Sequence, residues 1–203
     1  DRADAYNAVA ATRRWSRVFP VGAGLVGVWV LGNNYRGSGF YGAYPPTLLP
    51  RVYSLFPDLP DLRALHLCLG SLTYASVRQA WPSKTLLIDT PQCAMRLDRN
   101  PTLRPDVVAD AGAIPLVDAS IDVVFADPPY APQHALKYGF PMLNRRLVLR
   151  EVARVVAPGG LVAWLDVQTP MYRKIEWRER GLFMVRRSTN HVFRGITLFE
   201  RRG

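Results

Sequence analysis

The chain is poor in the residues that mark a secreted or metal-bound protein. Its 203 residues include two cysteines, Cys68 and Cys93, and three histidines, His66, His134 and His191. None falls in a C-x-x-C or H-x-x-H spacing, so no metal ligands are assigned. Two cysteines allow at most one bridge, which is no disulfide framework. The longest uncharged apolar run, residues 18–32, is too short and too rich in glycine to span a bilayer. It also lacks the position and flanks of a cleaved leader. No membrane contact is expected, and the cytoplasm is the default compartment. Acids are scarce as well, 16 against 26 Lys plus Arg, which leaves a net charge of +10 and a pI near 10.1. Lysine is scarce too: 3 of those 26 are Lys and 23 are Arg. A basic surplus of this size favours a polyanionic partner, nucleic acid above all, through counterion release and steering.

What is present reads as a single globular domain, residues 1–203. Hydrophobic content of 49% and charged content of 21% are ordinary for one. Residues 1–17 suggest a helix and 18–44 a short hairpin and a loop. Pro45-Pro46 precedes a predicted helix over 47–56, with Leu48, Val52 and Leu55 on one face. An α/β rhythm follows. Strands are predicted at 64–69, 85–88, 107–109, 121–126 and 161–165, and helices at 73–81 and 143–156. In the last helix Leu147, Val148, Val152 and Val155 form the apolar face, with Arg145, Arg146, Arg150 and Arg154 opposite. This alternation implies a doubly wound, mostly parallel sheet. Residues 182–187 and 193–200 have only a turn between them and read as an antiparallel edge hairpin. Gly22-Ala23-Gly24-Leu25-Val26-Gly27 fits G-x-G-x-x-G, but Pro20 breaks the segment before it and no acid follows at the required distance, so it is not a dinucleotide site.

The chemistry concentrates in Asp127-Pro128-Pro129-Tyr130, at the end of the apolar run 121–126. The two prolines have no N–H and a fixed φ. They make a stiff ledge with a carboxylate, outward unpaired carbonyls and an aromatic face, at the strand end where α/β sheets bind ligands. Such a ledge suits a planar heterocycle with an exocyclic amine. Asp89, Asp110 and Asp166 also close strands. Asp89 is placed to grip ribose hydroxyls and Asp110 to receive an adenine amine, whereas Asp166 reads as a cap. Gly70-Ser71-Leu72-Thr73 is a tight turn that lets backbone approach a ligand. His66 is expected to be packed in its strand, and Trp164 and Trp177 to be core or interface. Residues 170–203 hold nine basic side chains (Arg173, Lys174, Arg178, Arg180, Arg186, Arg187, Arg194, Arg201 and Arg202) and three acids, which is +6 of the +10.

Together these residues resemble the class I S-adenosylmethionine-dependent methyltransferases, and within them the DNA amino-methyltransferases of adenine N6 and cytosine N4. The ledge matches their [DNS]-P-P-[YF] tetrapeptide. Asp118-x-Ser120-x-Asp122-x-Val124-x-x-Asp127 matches its lead-in, and Arg154-Val155-Val156-x-Pro158-Gly159-Gly160 the turn after the next helix. The resemblance implies a Rossmann-like, seven-stranded sheet ending in an antiparallel hairpin, with residues 1–60 closing over the cofactor and 61–203 as the α/β core. It implies S-adenosylmethionine as cofactor, held by Tyr44, Pro45, Leu69, Gly70, Ser71, Thr73, Asp89, Asp110 and Ala111. Asp127, Pro128, Pro129 and Tyr130 would be catalytic. His134, Arg173, Lys174, Arg186, Arg187, Asn190 and Arg194 would contact nucleic acid, DNA being favoured over RNA.

Three departures stand against the family pattern. His66 and Cys68 lie where an acid and a proline are usual, and Leu72 replaces the middle glycine of the loop. No target-recognition domain is evident, so specificity falls to the 131–141 loop, the amino-terminal segment, the basic hairpin, a partner or a homodimer. An RNA base methyltransferase (guanine N2 or adenine N6) and a catalytically degenerate nucleic-acid-binding module stay open as alternatives.

Overall fold

The computed structural model describes residues 1–32, 47–56, 62–68, 70, 94–187 and 192–203. Helix α1 (Arg2–Arg13) opens with a capping box in which the Asp1 carboxylate accepts the Asp4 N–H. It buries Ala3, Tyr6 and Ala10 and is followed by an antiparallel hairpin, β1 (Val18–Val21) and β2 (Gly24–Leu31). The G-x-G-x-x-G segment is therefore a hairpin turn running into a strand, with Gly22 at a φ of 56°. Then come α2 (Leu48–Tyr53), β3 (Ala64–Leu67), β4 (Ala94–Asp98), a 3-10 turn (Pro101–Leu103), β5 (Val107–Val108) and β6 (Ile121–Ala126). The chain closes with α3 (Pro132–Lys137), α4 (Arg145–Val155), β7 (Val156–Asp166), β8 (Trp177–Arg187) and β9 (Phe193–Arg201).

Among the described residues one sheet of nine strands results, in the order β1-β2-β8-β9-β7-β6-β3-β4-β5. Five strand pairs are parallel, and β1–β2, β7–β9 and β8–β9 are antiparallel. The doubly wound, mostly parallel sheet with a terminal antiparallel hairpin is as expected, but three points differ. The sheet has nine strands rather than seven. The β8–β9 hairpin is not at the edge, because β2 pairs with β8 in parallel and carries β1 outside it. Pro20 sits in that outermost strand, where a missing N–H costs no ladder bond. Third, the strand beside β3 is β4, ending in Asp98; the predicted strand at 85–88 and helix at 73–81 lie outside the described residues.

Strands β3, β6 and β7 are covered on both faces, which is why they read as unbroken apolar runs, whereas β2 and β8 alternate and leave Val26, Val28, Val30, Leu182 and Met184 exposed on one face. On β6, Val123 and Phe125 face a core shared with α1 and α2, while Val124 and Ala126 face one shared with α4. His66 belongs to the first. It is fully buried, stacks on Phe125 and bonds through Nε2 to the Tyr53 hydroxyl at 3.0 Å. Burial pushes its pKa down to about 3, so the ring is neutral and packed, as the sequence suggested. Trp164 and Trp177 are buried in the second core.

The amino-terminal segment is held by a buried cation. The Arg51 guanidinium lies over Trp15 (4.8 Å) and Trp29 (5.8 Å) and donates to the Tyr6 hydroxyl at 3.1 Å. Aromatic faces thus supply what an acid would otherwise provide.

Helix α4 buries Val148, Leu149, Val152, Ala153 and Val155; Leu147, predicted on the apolar face, is 48% exposed. Two of its arginines are not on a solvated face either. Arg154 donates to the Ile114 and Leu116 carbonyls at 2.6 and 2.7 Å and pairs with Glu151 and Asp118. Arg145 is taken up below.

From α4 the chain enters β7 at Val156, which pairs with Ile121, bulges outward, and resumes pairing at Leu161 with Val123. Gly159, at a φ of 79°, makes the bulge. A Cβ on Gly160 would lie 2.6 Å from Val156 Cγ1 and 2.8 Å from the Asp122 carbonyl oxygen, so no side chain fits without moving backbone. Gly160→Ala is accordingly expected to cost about 2 kcal/mol, read as a lower urea midpoint at unchanged slope.

Candidate active site

From β3 the chain winds outward to β4 and β5 and then returns to β6 on the other side of β3. The carboxyl ends of β3 and β6 therefore flank the point where winding reverses, and loops leave it in opposite directions. A cavity of about 280 Å³ opens there. Cys68 and Gly70 line it after β3, Asp98 at the end of β4, Asp110 and Ala111 after β5, and the whole Asp127–Tyr130 ledge after β6. Four neighbouring strands thus deliver three carboxylates to one pocket.

The ledge is rigid for more reasons than its prolines. The Asp127 N–H donates to the Leu67 carbonyl at 3.3 Å, which fixes the start of the ledge to β3. Arg145 fixes its end. Its Nη2 donates to the Tyr130 carbonyl at 3.0 Å and the Pro129 carbonyl at 3.4 Å, while Nε and Nη2 grip Asp166 at 2.6 and 3.1 Å. Asp166 is fully buried and also accepts from Trp164 Nε1 and the Val167 N–H. The sequence reading that the ledge carbonyls are unpaired is thus corrected for Pro129 and Tyr130. Among the described residues, no donor is bonded to the Pro128 carbonyl. Asp166 is a structural partner rather than a cavity acid.

Asp127 keeps part of its surface open to the cavity, but its carboxyl is packed against protein. That desolvation pushes its pKa up to about 7, against the lowering effects of the Tyr130 hydroxyl bond and of Arg194. Tyr130 donates to Asp127 Oδ1 at 2.6 Å. Its ring carries the Arg194 guanidinium at 4.8 Å on one face and meets His134 edge-on at 6.1 Å. The aromatic ring therefore carries a guanidinium and has its hydroxyl on Asp127, and is not freely presented as the tetrapeptide alone suggested.

The other half of the cavity departs from expectation at its central acid. Asp98 closes the strand next to β3, the position assigned from sequence to Asp89, which lies outside the described residues. Its Oδ1 accepts the Asn100 N–H at 2.9 Å, and the Gly70 N–H also donates to the carboxylate. Burial still raises the pKa of Asp98. Asp110 accepts the Gly112 N–H at 2.7 Å and is ion-paired with Arg99, whose guanidinium covers Phe140 at 5.2 Å. Both its oxygens are already engaged, which the sequence did not indicate. Cys68 stands at a φ of 57°, a conformation that costs a non-glycine residue energy. Burial, together with the carboxylates of Asp98 and Asp127, pushes its thiol pKa up, so it is a neutral wall of the cavity. Tyr44, Pro45, Leu69, Ser71, Thr73 and Asn190 lie outside the described residues. None of residues 1–32 or 47–56 lines the cavity.

The residues predicted to contact nucleic acid divide. His134, Arg187 and Arg194 line the cavity; Arg186, next to Arg187 in β8, does not. Arg173 and Lys174 do not. They precede Trp177, which begins β8 and pairs with Arg201 at the opposite end of the sheet. Arg173 pairs there with Glu176. The basic tail is two clusters at two ends, not one surface.

Two residues that shape the cavity escaped the sequence. Asp98 was hidden because Arg96 interrupts its strand; the signal was an acid followed by Asn100-Pro101, a turn. Arg145 looked like one of four arginines on a polar helix face.

No protein-family model matches the sequence, and no curated protein matches it. Solved structures do. TrmN from Thermus thermophilus superposes with a TM-score of 0.53 at 20% identity, covering 79% of this chain and 50% of that one. A SAM dependent methyltransferase from Aquifex aeolicus aligns at a TM-score of 0.44 and 14% identity over 74% of this chain and 88% of that one. The chain is thus similar to TrmN in fold and spans half its length. Its architecture is the Rossmann-like fold seen in that methyltransferase structure.

Removing Arg145 would leave Asp166 buried without its cation and free the Pro129 and Tyr130 carbonyls. Arg145→Ala is expected to destabilise the protein by about 3 kcal/mol in urea unfolding. Arg145→Lys, which keeps the charge but not the fork, should recover only part of that.

Proposed function

We propose that this protein transfers the methyl group of S-adenosylmethionine to an exocyclic amine of a nucleic-acid base. The observation that carries the reading is the pairing of the Asp127 carboxylate with the Pro128 carbonyl on a ledge braced from both ends, at the winding reversal of the sheet. An exocyclic amine is a poor nucleophile because its lone pair is delocalised into the ring. Two fixed acceptors for its hydrogens would localise that pair, and alignment would supply most of the remaining acceleration. Tyr130 would lie against the base beside Asp127.

The residues around the other half of the cavity fit the cofactor. Asp98, held by backbone N–H groups of Gly70 and Asn100, would accept the ribose hydroxyls. Asp110 and Ala111 would border the adenine. The positively charged sulfonium would supply the methyl group, and its charge next to Asp127 would favour the ionised carboxyl. Adenine N6 in DNA is the first acceptor proposed, with RNA adenine N6 and guanine N2 next. A duplex target would first have to be flipped out, at about a few kcal/mol. The net charge of +10 supports a polyanionic acceptor.

Incubation with labelled cofactor and either DNA or RNA, followed by mass analysis of nucleosides, tests this directly. A methylated amine is expected that Asp127→Ala abolishes; a product unaffected by Asp127→Ala would refute the assignment. The dependence of kcat/KM on pH should rise through about 7, since the carboxylate is the accepting form. Tyr130→Phe removes a bond that lowers the Asp127 pKa and should shift that rise to higher pH.

Calorimetric titration with S-adenosylmethionine checks the cofactor half. Asp98→Ala is expected to weaken binding about tenfold or more, the worth of a charge-assisted hydrogen bond. Equal affinity in the variant would remove Asp98 from the cofactor site.

A further inference from the structure

We propose that Arg187 and Arg194 form a phosphate subsite in the mouth of the cavity, so that the acceptor is taken as a nucleotide and not as a free base or nucleoside. The inference rests on the base-amine reading above and narrows its substrate.

Position argues first. Arg187 is the last residue of β8 and Arg194 the second of β9, so the hairpin brings them together at its upper end, where Val185 pairs with Arg194. Both line the same cavity as Asp127, Pro128 and Tyr130. Of the nine basic residues after position 170, these are the two that do. Arg180 is spent on Glu200, and Arg173, Lys174, Arg178, Arg201 and Arg202 belong to the other end of the sheet.

The state of Arg194 argues next. Its Nε is shielded from solvent and bonds to nothing among the described residues. Its guanidinium rests on the Tyr130 ring at 4.8 Å. A desolvated guanidinium donor without a partner is costly to keep. Beside it stands a second guanidinium, and burial together with Arg194 lowers the pKa of Arg187. Tyr130 and Asp127 offset part of that effect on Arg187, and an anion in the mouth would answer the donor that Arg194 leaves open while lying against both guanidinia. A phosphate matches the planar donor fork of arginine and can bond to two such forks at once.

Geometry supplies the link to the acceptor. Tyr130 has its hydroxyl on Asp127 and its ring face under Arg194. An amine seated at Asp127 and an anion seated at Arg194 are therefore separated by the breadth of one aromatic ring. That separation suits a base and the phosphate of its own or the adjoining nucleotide. The ring acts as a spacer between the two.

Two measurements decide it. In the first, inorganic phosphate is titrated into the wild type and into the Arg187→Gln/Arg194→Gln variant, with the melting temperature as the readout. Phosphate should raise it in the wild type, with an apparent affinity about tenfold higher than in the variant; equal responses would overturn the subsite. In the second, methyl transfer to a nucleoside is compared with transfer to its 5′- and 3′-monophosphates. The wild type should favour a monophosphate by about tenfold in kcat/KM, and the ratio should fall towards one in the double variant. A ratio of one in the wild type would overturn the inference while leaving the base-amine reading intact. No transfer to any acceptor, with a normal phosphate response, would strike the base-amine reading and spare the subsite. Arg194→Lys controls for folding and should recover part of both effects. A variant with lost cofactor affinity and unchanged phosphate response would assign the pair to the cofactor and refute the proposal.

Discussion

The bond between Arg145 and Asp166 organises the cavity. It joins the first turn of α4 to the last residue of β7, and the same guanidinium reaches back to two carbonyls of the ledge. A stiff dipeptide such as Pro128-Pro129 fixes its own shape but not its direction. Direction comes from the two ends, one tied to β3 through Asp127 and the other to β7 through Arg145. Because Asp166 is buried, water does not compete for the guanidinium, and a planar fork holds its partners in one orientation. The ledge is thus referenced to the two strands that flank β6, and the position of its acceptors inherits the precision of the sheet.

The electrostatics follow from the same closeness. Three carboxylates gather in one small pocket, and burial makes their charges costly. The structure answers with N–H donors on Asp98, with Arg99 on Asp110, and with a hydroxyl and a distant guanidinium on Asp127. Asp127 is the least compensated of these and sits near the midpoint of its titration at neutral pH. A cationic cofactor would supply the missing positive charge. On this reading, filling one half of the cavity prepares the acid that serves the other half.

Much of this was legible in the residues. Apolar runs closed by an acid or glycine marked β3, β6 and β7, because strands buried on both faces need no alternation. The Asp-Pro-Pro-Tyr ledge was visible because its prolines permit so few conformations. The parts that escaped share a cause: they depend on partners far away in the chain. Arg96 breaks the pattern of β4, yet its charge is met inside the fold by Asp106, so the strand tolerates it and ends in Asp98. The attachment of β2 to β8 joins positions more than 150 residues apart, as at Leu25 and Gly181. No local spacing announces such a contact. Arg145 and Arg146 are neighbours of one type with different fates, decided by which of them meets Asp166.

On the proposed function, the division of the carboxyl-terminal arginines between the two ends of the sheet would separate adhesion from turnover. Long-range attraction sums over every exposed charge, whichever way it faces. A polyanion can therefore be held by the end that carries Arg173, Arg178 and Arg202 and never present a base to Asp127. Occupancy on bulk nucleic acid and productive encounter would then be different quantities, the first diluted by salt and the second governed by what fits between a ring and a guanidinium. For such a molecule, a tighter complex need not be a faster one.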